Sequence, residues 1–175
     1  STLFPYTTLF RSFIEMASVN ENGYIDKKED RKLGDVIKGG YTYFHENDII
    51  IAKITPCMEN GKCAIARGLT NNIGFGSSEF HVFECNDNLN VDFLFGYLNR
   101  SSIRKKAAAV MTGASGHRRV PIEFYEDLEI PFLTIEEQSK IVKTVKEFES
   151  KIVEAEKKLE ALKGKTGEIL ERYLR

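Results

Sequence analysis

From residue 93 to residue 122 the chain has no aspartate or glutamate, yet it carries Arg100, Arg104, Lys105, Lys106, Arg118 and Arg119, with His117 beside the last two. This run of six cations holds +6 in a chain whose net charge is −1. It ends in a segment bearing Thr112, Gly113, Ser115 and Gly116. Such a combination suits contact with phosphates and base edges. Glycines let a backbone approach closely, and the arginine fork matches the O6 and N7 acceptors of guanine. Thr112, Gly113, Ser115, His117, Arg118 and Arg119 are therefore candidate DNA-binding residues. Lys53 and Lys62 are candidates for phosphate contacts from earlier in the chain. Plainer roles stay open at this point: a solvated helix face beside an ordinary loop, ion pairs from Arg118 or Arg119 to Glu123 or Glu126, exposed strand lysines at 53 and 62, and turn or sheet-edge roles for Ser77, Ser78 and Glu79.

Other chemistries find little support. His45, His81 and His117 lie far apart, and none has metal-ligand spacing with a cysteine or an acid. His81 sits within a strand pattern and reads as structural. Gly74-Phe75-Gly76 lacks the third glycine and the following helix of a dinucleotide site, and no G-x-x-x-x-G-K-[ST] loop is present. No nucleophile, base and orienting partner are brought together by spacing. No catalytic residue, cofactor or metal site is expected. Cys57, Cys63 and Cys85 are odd in number and form no C-x-x-C pair, which fits a reduced, cytoplasmic protein. No run reaches transmembrane length, and no secretory signal opens the chain.

The elements that must hold these residues read as many short strands followed by helix. Residues 13–19, 41–44, 49–54, 61–66, 80–83 and 126–130 have strand character; residues 49–54 are nearly all apolar, as in a buried strand. Residues 21–38 are polar with an Asn22-Gly23 turn, residues 74–78 read as a Gly/Ser loop, and residues 91–104 have helical spacing. The pattern predicts an α+β domain with a curled antiparallel sheet over residues 13–133. Residues 1–12 (STLFPYTTLFRS) have neither period and read as a remnant foreign to the fold, set aside here, with the natural protein beginning further upstream.

Residues 134–175 form one long helix. Ile141, Val145, Phe148, Ile152, Ala155, Leu159, Leu162, Thr166, Ile169 and Tyr173 follow steps of four and three without a slip, and only Thr166 is polar. That is a heptad seam made to lie against another helix. Between residues 136 and 175, nine Glu alternate with ten Lys or Arg on the other faces. Thr134 and Glu137 have the form of a capping box, and Gln138 near the start is suited to tying the arm to its domain. Gly164 and Gly167 predict a kink, a frayed end or a close helix contact. About 40 residues at ~1.5 Å each span roughly 60 Å.

Several blocks together resemble the specificity subunit of type I restriction-modification systems. They are residues 44–56 (FHENDIIIAKITP), 59–62 (ENGK), 74–82 (GFGSSEFHV), 111–120 (MTGASGHRRV), and 130–133 (IPFL) followed by Glu136-Glu137-Gln138 and Ile141. The resemblance implies a non-catalytic DNA-recognition domain followed by a spacer helix. It implies double-stranded DNA as ligand and the DNA methyltransferase (M) and restriction (R) subunits as partners. Family members carry two such domains, whose helices pair antiparallel and set the spacing of a bipartite site. This chain holds one of each, so the second is expected either from a longer parent chain or by homodimerisation. Two other functions are carried forward: the recognition segment of a fused methyltransferase-endonuclease, and a structural coiled-coil protein.

Overall fold

The computed structural model describes residues 9–174. The chain divides into two compact units between Leu133 and Thr134, a head and a helix. The head is α+β and holds two sheets. One runs β2-β1-β6-β3, formed by β1 (Phe10–Ile14), β2 (Glu29–Lys32), β3 (Thr42–His45) and β6 (Ile73–Gly76). The other runs β5-β4-β7, formed by β4 (Ile49–Ala52), β5 (Cys63–Ile65) and β7 (Phe80–Phe83). Every pairing is antiparallel except β1 with β6, which is parallel and makes the first sheet mixed.

Strand β4 lies between the two main apolar cores of the head. All four of its residues are buried. With a side-chain period of two, its residues feed opposite faces. Ile50 joins Ile14, Phe44, Ala64 and Phe80 in a core to which both sheets contribute. Ile49 and Ile51 join Cys63, Leu94 and Leu98 in a second core under α2 (Val91–Leu98), the helix that follows the short α1 (Leu33–Val36). Burial of each isoleucine stabilises the fold by roughly 1.5–3 kcal/mol. Burial also pushes the Cys63 thiol well above its ordinary range.

Several sequence expectations are corrected. Residues 10–12, set aside with the first dozen, form the first part of β1, and Ser12 is 2% exposed with its hydroxyl accepting the Thr70 N–H. Residues 1–8 of that expectation lie outside the described residues. The stretch read as a Gly/Ser loop supplies β6, an inner strand. Gly74 lacks a side chain, and the Phe44 ring occupies that space: a Cβ there would lie 2.1 Å from Phe44 Cε2. The aromatic ring on the paired strand replaces the missing side chain. Strand β2 was hidden because all four residues are charged, which suits a sheet edge; the Arg31 guanidinium lies 3.6 Å over the Phe13 ring. Residues 91–104 form two helices. Asn90 caps α2 by accepting the Phe93 N–H, and α3 (Ser101–Ala109) begins after a break at Asn99 and Arg100. The predicted strand at 126–130 is replaced by a short helix, α4 (Glu123–Glu126), and irregular backbone.

The second unit is helix α5 (Ile135–Tyr173). Its capping box is complete: Thr134 Oγ1 accepts the Glu137 N–H, and Glu137 accepts the Thr134 N–H at 2.8 Å. Those donors hold the Glu137 carboxyl below its usual range. The helix runs on through Gly164 and Gly167 without interruption. Thr166, the polar member of the seam, satisfies its hydroxyl locally by donating to the Leu162 carbonyl. Gln138 is buried, whereas the large seam residues Ile141, Val145, Phe148, Ile152, Leu159, Leu162, Ile169 and Tyr173 are exposed.

Candidate nucleic-acid interface

Three stretches far apart in sequence are stitched into one platform. The first follows β4. Lys53 donates its N–H to the Glu79 carbonyl, and its own carbonyl accepts the Val120 N–H, each at 2.9 Å. The Thr55 N–H donates to the Arg118 carbonyl, also at 2.9 Å. The second is the turn before β7, where the Glu79 N–H donates to Ser77 Oγ. The third is the basic loop, closed by reciprocal main-chain bonds between Thr112 and Arg119 at 3.0 and 2.8 Å. Gly113 and Gly116 hold φ values of +120° and +78°, which side-chain-bearing residues rarely adopt, so the sharp reversals need glycine. Beneath the platform, Met58, Ala107, Met111 and Val120 form a small apolar core.

Residues 112–119 are all exposed. Thr112, Gly113, Ser115, His117, Arg118 and Arg119 therefore share one exposed loop. Lys53 lies partly buried at the loop's base. Lys62 does not join them: its ammonium donates to the carbonyls of Met16 at 3.1 Å and Val19 at 2.7 Å, so it ties the turn at residues 16–19 to β5's flank. The phosphate role expected for Lys62 is corrected accordingly. Arg104, whose guanidinium lies against Gly61, is likewise committed, donating to the Asn99 backbone and side chain. Lys105 and Lys106 remain exposed on α3.

The acid-free run is not acid-free in space. Arg119 makes a two-pronged pair with Glu79, Nε to Oε2 at 2.9 Å and Nη2 to Oε1 at 2.6 Å, while Nη1 donates to the His117 carbonyl at 2.9 Å. Arg118 Nη2 lies 3.6 Å from Glu59 Oε1, which also accepts the Thr55 hydroxyl at 2.6 Å. The arginine partners are thus Glu59 and Glu79 rather than Glu123 or Glu126. Local spacing gave no signal for them, because Arg119 and Glu79 are 40 residues apart. The Arg119 hydrogen bond holds the Glu79 carboxyl below the usual carboxylate range, and Glu79 in turn raises the guanidinium.

His81 is structural. Its Nε2–H donates to the Val120 carbonyl at 2.9 Å, fixing the strand beside the loop. Burial lowers its affinity for a proton. Among the described residues, no group of three or more His, Cys, Asp or Glu is placed to hold a metal ion, and no helix is long and apolar enough to cross a membrane. What the platform offers a ligand is an exposed, internally braced loop that presents Arg118, whose ion pair to Glu59 is long at 3.6 Å.

Comparison with known proteins agrees in fold and sequence. The type I restriction modification DNA specificity domain matches residues 12–163. The chain is 39% identical over 132 residues to the specificity subunit of the type I restriction enzyme EcoAI of Escherichia coli, covering 75% of this chain and 22% of that protein. It is 38% identical over 136 residues to the EcoEI specificity subunit of the same organism, covering 76% and 23%. The chain thus spans under a quarter of the length of either relative. Its fold is similar to the HsdS subunit from Thermoanaerobacter tengcongensis, with a TM-score of 0.69, 20% identity, and coverage of 85% of this chain and 38% of that one. A structure addressing complex assembly and conformational transition of the type I R-M system is similar at a TM-score of 0.70 and 20% identity, covering 86% of this chain and 38% of that one. With the family model spanning most of the head and helix, the chain belongs to the type I restriction modification DNA specificity domain family.

Proposed function

We propose that this chain is a sequence-specific DNA-recognition element of a type I restriction-modification complex, acting in the cytoplasm without chemistry of its own. The head contacts one half of a bipartite site in double-stranded DNA through residues 112–119. The helix seam pairs with the helix of a second recognition domain, on a longer parent chain or on a second copy, and holds the two heads at a set distance. Methyltransferase and restriction subunits supply the bond-making and bond-breaking steps.

One observation carries this reading. The stretches at 53–59, 77–81 and 111–120 converge on a loop whose residues 112–119 are all exposed and whose backbone is braced at both ends. A braced loop loses little conformational freedom on binding, which favours base readout over mere charge attraction. The helix supports the second half of the reading, because roughly 58 Å of rod (39 residues at ~1.5 Å) can bridge contacts on successive turns of duplex spaced by ~34 Å.

The test is duplex binding as a function of salt and of sequence. Affinity is expected to fall steeply between about 50 and 200 mM salt, and Arg118→Ala is expected to reduce preference for an enriched duplex over its scrambled counterpart by about tenfold. A flat salt response with no sequence preference overturns the proposal.

A further inference from the structure

The two adjacent arginines of the loop are exposed to the same degree, Arg118 by 45% and Arg119 by 44%, so exposure does not separate them. Their bonding does. Arg119 is engaged on every nitrogen of its guanidinium, two of them on Glu79 and one on the His117 carbonyl. Its backbone also closes the loop on Thr112 in both directions. Glu79 is itself anchored, since its carbonyl accepts the Lys53 N–H and its N–H donates to Ser77. The Arg118 backbone is held through its carbonyl, which accepts the Thr55 N–H, while its side chain has a single long ion pair among the described residues. Its side chain stands 3.6 Å from Glu59, beyond good hydrogen-bond distance. Consecutive residues of an extended segment project to opposite sides, so the two guanidinium groups reach different acids.

We propose that these arginines divide the work: Arg118 contacts DNA, whereas Arg119 and Glu79 are positioning residues, a strut that holds residues 112–119 in the shape that presents Arg118. This rests on the DNA-recognition reading above. Its consequence runs against simple electrostatics. An acid beside a phosphate-binding surface repels DNA, so its removal ordinarily strengthens binding. Here the removal of Glu79 weakens recognition of the preferred sequence, because the loop it braces relaxes.

The experiment uses the full chain, a duplex enriched from a randomised library and a scrambled duplex of the same composition. For Glu79→Gln the affinity ratio between the two duplexes is expected to fall by about tenfold, through loss of affinity for the enriched duplex while the scrambled one binds as well or better. Arg119→Lys keeps the charge, loses the fork and is expected to fall as far. The exchanged pair Glu79→Arg with Arg119→Glu is expected to recover most of the ratio. Thermal unfolding stays close to wild type, since an exposed ion pair contributes little to stability. Glu79→Gln strengthening both duplexes alike overturns the proposal, as does Arg119→Lys with an unchanged ratio. Amide exchange at Thr112 and Arg119 is a second, DNA-free readout: faster exchange in Glu79→Gln supports the strut, and unchanged exchange overturns it. Absence of any duplex binding by the wild-type chain defeats the recognition reading instead, and exchange then decides the strut alone.

Discussion

Ile50 in the head is fully buried, and Ile152 in the helix is 56% exposed. The residue type is the same and the element explains the difference. Ile50 lies on a strand with a layer of side chains on each face. Ile152 lies in the narrow apolar seam of a helix, and a seam has no second layer within its own helix. The head therefore completes its core from within, whereas the helix seam carries eight large apolar residues that its own unit leaves in solvent. At roughly 1.5–3 kcal/mol per buried apolar side chain, covering even part of that seam is a substantial driving force for pairing. The head's stability is expected to be intrinsic and the helix's conditional.

Four changes sharpen or break this contrast, from the largest expected effect to the smallest. Phe44→Ala empties the centre of the larger core and leaves Gly74 without its covering ring; a loss of about 3–5 kcal/mol is expected in urea unfolding. A loss under about 1 kcal/mol would mean that the head is as loosely packed as the helix surface. Phe148→Glu combined with Ile152→Glu is expected to leave the head's unfolding midpoint unchanged while reducing helix pairing at least tenfold, read as molar mass by light scattering against concentration; a shifted head midpoint would erase the distinction. Thr134→Ala removes the cap, with a cost of about 1 kcal/mol confined to amide exchange in the first turn of α5 and absent from the head.

The fourth is a pH effect in the head alone. Burial, the largest cause, lowers the His81 pKa from 6.5, opposed in part by the Val120 carbonyl and by Glu123 and Glu79, and assisted by Lys53. The unfolded chain thus binds a proton at higher pH than the folded one. Stability is fully present above the unfolded value of 6.5 and declines as pH falls below it, down towards the lower folded value. His81→Gln is expected to flatten the slope of unfolding free energy between about pH 7 and pH 5; an unchanged slope would place its origin elsewhere.

Much of this architecture is visible in local pattern. The four-and-three steps of the seam, the Thr134–Glu137 box and the apolar run at Ile49–Ala52 all translate directly, because helix period, cap chemistry and strand burial are set by neighbours within a few residues. Strands β2 and β6 were not visible for the same reason. β2 is wholly charged and β6 is half glycine, so neither has strand propensity of its own; each is a strand because of what lies beside it. The helix through Gly164 and Gly167 shows the converse, a local penalty absorbed by a long element.

The candidate site divides the same way. Residue types and spacing sufficed to single out the basic, glycine-bearing loop and the seam, since both are written in consecutive or periodic residues. Which acids face the arginines, that Lys62 serves the carbonyls of Met16 and Val19, and that Arg118 and Arg119 are differently held all arose from folding. The physical reason is distance along the chain. Charge, period and capping act over a few residues and survive in the one-dimensional order, whereas an ion pair spanning 40 residues exists only once sheet pairing has brought its members together.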